Sequence, residues 1–127
     1  MESALVDVFD MNCPSRAVME HLSSRWGVLI QVMLLREGTL RFSELRRAIG
    51  GVSEKMLAQT LQALERDGIV RRVVHPVIPP HVDYSLTDLG EAAAKAVNTL
   101  FDLIGDRWAE FEKAQVEYDQ RKAAQPL

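Results

Sequence analysis

Residues 75–90 read HPVIPPHVDYSLTDLG, with three prolines between two histidines. Pro76, Pro79 and Pro80 lack backbone donors and restrict φ, so they predict a stiff, extended tip. Val82, Asp83, Tyr84, Ser85 and Leu86 then alternate apolar with polar, the period of a half-buried strand. On the other side of the tip, IVRRVV is rich in β-branched residues and carries two arginines. Ile69, Arg71 and Val73 share one side, Val70, Arg72 and Val74 the other. The two runs predict an antiparallel hairpin in which Arg72 faces Asp83. Thr87 then caps a helix starting at Asp88. A hairpin set between two helices restricts the fold class to a mainly α chain with a small β-hairpin.

The upstream sequence supplies the helices. Pro14 suits a first helical position, with Asn12 or Cys13 as cap, and Ala17, Val18 and Leu22 continue the apolar face. SSRWG interrupts it. WGVLIQVMLLREG reads as a second, buried helix stopped at Gly38. Leu40 and Phe42 suit a very short strand. Ser43 is placed to cap a short helix containing Leu45, Ala48 and Ile49. Gly50 and Gly51 form a turn, and Ser53 caps the next helix, whose Leu57, Leu61 and Leu64 fall on one side. Gly68 ends that helix. Two helices joined by a tight glycine turn have the form of a helix-turn-helix, and the hairpin after them makes it winged.

The C-terminal region predicts one amphipathic helix over about 88–118, with Ala93, Ala96, Val97, Leu100, Phe101, Ile104, Trp108 and Phe111 at spacings of three and four. Its apolar face exceeds what a small domain covers, so a second copy is expected across a two-fold interface. The tail QRKAAQPL is expected to fray.

The chain has 127 residues, suited to a single domain over 1–127 with its winged core at 13–90. The formal net charge of −3 speaks against nucleic acid, but its distribution does not. From Arg36 to Arg72 there are 8 Lys and Arg against 5 Asp and Glu, a basic middle between acidic ends. One cysteine excludes an internal disulfide and fits a reducing cytoplasm. MESALVDVFD lacks the basic start and apolar core of a signal peptide, and VLIQVMLL is too short to span a membrane. No Ser-His-Asp set, glycine-rich phosphate loop after a strand or paired carboxylates point to an enzyme. His21, His75 and His81 lack a cysteine or carboxylate cluster to complete four ligands, so neither a metal nor another cofactor is expected.

The second helix of a helix-turn-helix enters the major groove. Opposite the leucine stripe stand Ser53, Glu54, Lys55, Ala58, Gln59 and Gln62. Gln59 suits the paired hydrogen bonds of adenine, and Lys55 suits guanine or phosphate. Ser53 and Thr60 suit phosphate or base, and Arg41 and Ser43 suit phosphate at the preceding helix start. Taken alone, this face reads equally well as solvated; its place between turn and hairpin favours DNA. Cys13 lies at a helix start, where dipole and amides favour a thiolate, with Arg16 assisting and Asp10 opposing. It also reads as a small cap packed at an interface.

The ordered segments CPSRAV, RWGVLI, RFSELRRAIGGVSEKMLAQTLQALERDGIVRR and PPHVDYSLTDLG resemble the HxlR-type family of bacterial winged helix-turn-helix regulators, related in architecture to MarR regulators. The likeness spans residues 13–90. It implies a homodimeric transcription factor with a recognition helix at 53–66, a wing at 69–86 that includes Arg72, and dimer contacts from both terminal helices. Some members sense oxidants or electrophiles through a cysteine placed like Cys13. Thr60 and His81 stand where the family often has arginine, and Ala58 and Gln62 replace more polar or basic residues. Below about pH 6.5 a protonated His81 would restore a charge at the wing. The expected function is repression from a roughly palindromic double-stranded operator, released through Cys13 or by a small-molecule effector. The alternative is a winged-helix protein-interaction module, favoured if Arg71 and Arg72 are engaged by Asp83 and other internal partners.

Overall fold

Most helix starts in this chain follow from a residue that supplies what the first helical amides lack. In the computed structural model, which describes residues 6–125, α1 (Pro14–Leu22) starts at a proline already suited to the first turn. Cys13 is its N-cap in extended backbone, but the thiol makes no capping bond. Ser24 accepts from the Gly27 amide at 3.1 Å and starts α2 (Arg25–Glu37), which ends at Gly38 as expected. Ser53 accepts from the Met56 amide at 3.1 Å and starts α4 (Glu54–Arg66).

Between them lie β1 (Leu40–Arg41) and α3 (Phe42–Ala48). Two expectations change here. Phe42 is helical, and the N-cap is Arg41 in place of Ser43. Pairing of Leu40 with Tyr84 and of Arg41 with Asp83 holds the backbone extended only as far as Arg41. The Arg41 amide then donates to Glu44 Oε1 at 2.8 Å, which fixes the helix start one turn from the acid.

The hairpin forms from β2 (Val70–His75) and β3 (His81–Leu86), and β1 joins β3 on its other edge to give the order β1-β3-β2. Residues 76–80 form the tip, which runs through bends and a cis Ile78–Pro79 bond and is not extended. His75 pairs with His81, and that closure sets the register. Arg72 therefore faces Tyr84, while Asp83 faces Val73; the expected Arg72–Asp83 pair is displaced by one residue.

Residues up to Val97 form one compact unit and residues from Asn98 another. In the first, α2 packs on α4 and β3, and α4 packs on β2. Ile30, Leu34, Leu45, Ile49, Leu57, Leu61, Leu64, Ile69 and Tyr84 form its core. The leucine stripe of α4 is fully enclosed, with Leu57, Leu61 and Leu64 at 0%, 1% and 0% exposure. Each buried leucine contributes about 1.5–3 kcal/mol relative to an exposed one. Buried Gln31 donates to the carbonyls of Leu22 and Gly27 at 2.8 and 3.0 Å, joining the end of α1 to α2.

The link from wing to C-terminal helix is equally close. Thr87 donates its amide to Ile69 O at 3.0 Å and its hydroxyl to Gly68 O, and accepts from the Gly90 amide at 2.9 Å. Gly90 is required by space: a Cβ there would sit 1.9 Å from Ile69 O. The helix it belongs to, α5 (Asp88–Asp106), does not continue to residue 118 as a single rod. Arg107 leaves the helical region at φ −116°, ψ 24°, and α6 (Trp108–Ala124) begins anew. Gly105 weakens the last turn of α5. Arg107 instead binds Glu110 of the next turn through two bonds of 2.6 and 2.7 Å. The tail expected to fray is helical as far as Ala124, and its final two residues lie outside the described range. Among the described residues no helix is long and apolar enough to cross a membrane.

Candidate nucleic-acid interface

Burying one stripe of α4 leaves the opposite stripe exposed by geometry. Ser53, Glu54, Lys55, Ala58, Gln59 and Gln62 are all exposed, as the residue spacing requires. The HTH turn places this helix after α3: Gly50 and Gly51 link them, and Gly51 takes φ 86°, a left-handed conformation that glycine adopts without strain. Arg46 of α3 reaches Glu54 at 3.2 Å, both ends being exposed. Such a pair adds at most about 1 kcal/mol, but it offsets the one carboxylate at the start of α4 that would repel an anion.

Among the described residues, the side chains of Lys55, Gln59, Arg71 and Arg72 have no hydrogen-bond or ion-pair partner and are all exposed. Asp83 engages His75 Nε2 at 2.8 Å and lies 3.9 Å from His81 Nε2. It therefore takes neither arginine, and the condition that would have favoured a protein-interaction module is not met.

The remaining expected contacts separate. Arg41 and Ser43 are exposed at the start of α3. Ser53 is exposed, but its oxygen already accepts from the Met56 amide. Thr60 is only partly exposed, and its hydroxyl donates to Met56 O at 2.7 Å within its own helix. Its bonding capacity is thus largely used locally. His81 is half-buried, lies 3.9 Å from Asp83 and stacks on His75, with ring centroids 4.6 Å apart. Sequence spacing did not reveal that Asp83 joins the two histidines, because the strand register was displaced by one residue. Val77 and Ile78 at the tip are 53% and 99% exposed.

Cys13 forms a second candidate centre. Its Sγ lies 3.2 Å from Ser15 Oγ, and this contact holds the thiol below its ordinary value, with help from the Asp7 and Ser15 amides. Asp10 and partial burial oppose the shift. Arg16 does not assist as expected. Its guanidinium turns to the carbonyls of Val8 and Phe9 at 3.4 and 3.3 Å and toward Glu20 at 3.6 Å. At its other end, α1 is fastened to the end of α4: His21 Nδ1 lies 2.6 Å from Asp67 Oδ2, and the Asp67 side chain is 4% exposed.

The sequence model of the HxlR-like helix-turn-helix family matches residues 21–113. The chain belongs to that family. It is 63% identical over 98 residues to an HTH-type transcriptional regulator, YtfH, of Escherichia coli (strain K12), covering 77% of each chain. It is similar to the solved transcriptional regulator ytfH from Salmonella typhimurium, at 57% identity and TM-score 0.79, over 87% of this chain and 97% of that one. It also resembles the redox regulator HypR in its reduced form, at 29% identity and TM-score 0.69, over 79% and 98% of the two chains. The HxlR-like chain is thus a winged helix-turn-helix transcriptional regulator, and its family match covers α2 through the start of α6. Cys13 lies outside the matched segment.

Proposed function

We propose that this HxlR-like protein is a homodimeric, sequence-specific DNA-binding repressor in the cytoplasm. The observation that carries the reading is the exposed, unpartnered Lys55 and Gln59 on α4, beside a hairpin whose Arg71 and Arg72 are equally unengaged. Gln59 addresses adenine and Lys55 guanine or phosphate. Arg41, Ser43, Ser53 and Arg72 hold the backbone, with smaller parts for Thr60 and His81. Two copies would place two α4 helices in successive major grooves about 34 Å apart, on a roughly palindromic operator. The apolar residues of α5 and α6 supply the dimer face, and occupation of a promoter supplies repression. The whole chain acts as one regulatory domain without enzymatic activity.

Release would come through Cys13 or a small-molecule effector. The lowered thiol favours reaction with oxidants or electrophiles, and HypR, a redox regulator, shares the fold. The His21–Asp67 tie gives α1 a direct hold on the end of α4. For an effector, a groove of about 330 Å³ lined by Leu103, Arg107, Glu110, Phe111 and Ala114 is available in the second unit.

Fluorescence anisotropy against the upstream promoter fragment and a scrambled fragment tests this reading, with salt titrated and Cys13 reduced or oxidised. Tight binding to the promoter alone, steeply weakened by salt and lost on oxidation, is the expected result. Equal weak binding to both fragments would count against that promoter as the operator. Full binding after oxidation would remove Cys13 from the mechanism.

A further inference from the structure

We propose that the base of the wing is a binding site for a divalent first-row transition-metal ion of the zinc type, held by His75, His81 and Asp83. The placement is set by the backbone. His75 and His81 are directly paired across the hairpin, so their side chains leave the same face of the sheet. Asp83 is two residues beyond His81 on β3 and shares that face. The three donor atoms lie within 4.8 Å of one another. Asp83 Oδ2 is already 2.8 Å from His75 Nε2, and Oδ1 is 3.9 Å from His81 Nε2.

The donor set suits the ion. Two imidazoles and one carboxylate are borderline ligands that favour zinc and its neighbours over calcium or magnesium. Bond lengths of about 2.0–2.2 Å set tetrahedral donors about 3.4 Å apart, so the wider spacings must close while the 2.8 Å contact of Asp83 with His75 opens slightly. All three residues are only partly buried, which leaves room for that rotation and an approach for a hydrated ion. Arg41 stands opposite Asp83 in the register, yet it makes no ion pair with it, so the carboxylate remains available to the two rings. Three protein ligands leave a fourth position open for water or an anion. The ion would fasten the two strands together at the root of the 76–80 tip. His21 and Asp67 offer only two donors, one of them nearly enclosed, and do not form a competing site.

The test uses the full chain and does not depend on DNA. Zn²⁺ is titrated by calorimetry and Co²⁺ by visible absorption, with wild type, His75→Gln, His81→Gln and Cys13→Ser compared after circular dichroism confirms folding. One ion per chain is expected, with affinity weakened by more than about 100-fold in each histidine variant, since even outer-shell losses reach that size. Cys13→Ser should bind as wild type. Histidine ring resonances of wild type, followed during Zn²⁺ titration, read the same site without any variant: His75 and His81 should shift while His21 stays. Absence of Zn²⁺ binding by wild type would overturn the proposal. So would undiminished affinity in both histidine variants, loss of the site in Cys13→Ser, or a response confined to His21.

Discussion

Residues 6–97 and residues 98–125 are both rich in helix, yet they handle apolar surface in opposite ways. The first unit encloses Ile30, Leu45, Leu57 and Leu64 completely. The second encloses no side chain among its described residues, and Leu100, Leu103, Ile104 and Trp108 remain 52%, 42%, 40% and 49% exposed. An amphipathic helix is a request for a partner surface. α4 finds that surface within its own unit, on α2 and β2, whereas the stripe of α5 and α6 calls for one from elsewhere, which the proposed homodimer supplies.

Core truncation should expose this contrast most strongly. Leu61→Ala is expected to destabilise the first unit by about 2–5 kcal/mol in urea unfolding. Trp108→Ala with Phe111→Ala should instead convert dimer to monomer by sedimentation, leaving most helical signal in place. Unfolding of both variants to the same extent would break the contrast. Gly90→Ala drives a methyl group against Ile69 O and should cost about 3 kcal/mol in the same melts; a neutral result would show that the junction yields. On the DNA side, Lys55→Ala or Gln59→Ala should each weaken operator binding by about 1–3 kcal/mol without altering the dimer. The lysine change alone should also reduce the salt slope by about 1. Ser53→Ala removes a helix cap and should cost about 1 kcal/mol of stability. The smallest effect is chemical. Ser15→Ala leaves stability almost unchanged but should raise the pH at which Cys13 alkylates, toward the ordinary thiol value of 9.0. The thiolate is the reacting form, so wild type should reach half its maximal alkylation rate below that pH. Identical profiles would remove Ser15 as the cause.

The helix-turn-helix was readable because each part has a local signature. The stripe of Leu57, Leu61 and Leu64, the caps Ser53 and Thr87, and the stop at Gly38 all behave as residue chemistry dictates. Errors arose where distant residues decide. The start of α3 moved because pairing of β1 with β3 extends only to Arg41, a constraint written more than forty residues away. The Arg72–Asp83 pairing failed because one residue in the closure of the tip reassigns every facing pair. The break at Arg107 is invisible in the apolar periodicity, which runs through it unchanged. On the candidate interface, exposure of Lys55 and Gln59 followed from the buried stripe. The internal bond of Thr60 and the stacking of His81 on His75 required positions of side chains.

The hydrogen bonds around Thr87 gather the end of α4, the root of β2, the exit of β3 and the first turn of α5 at one point. Local opening in proteins proceeds by cooperative blocks, with hydrogen-bonded neighbours exchanging their amides together. On that ground these four ends are expected to open and close as one block in amide exchange. Amide exchange is therefore expected to show the root of the hairpin and the final turn of α4 with a common protection limit, although they lie in different elements.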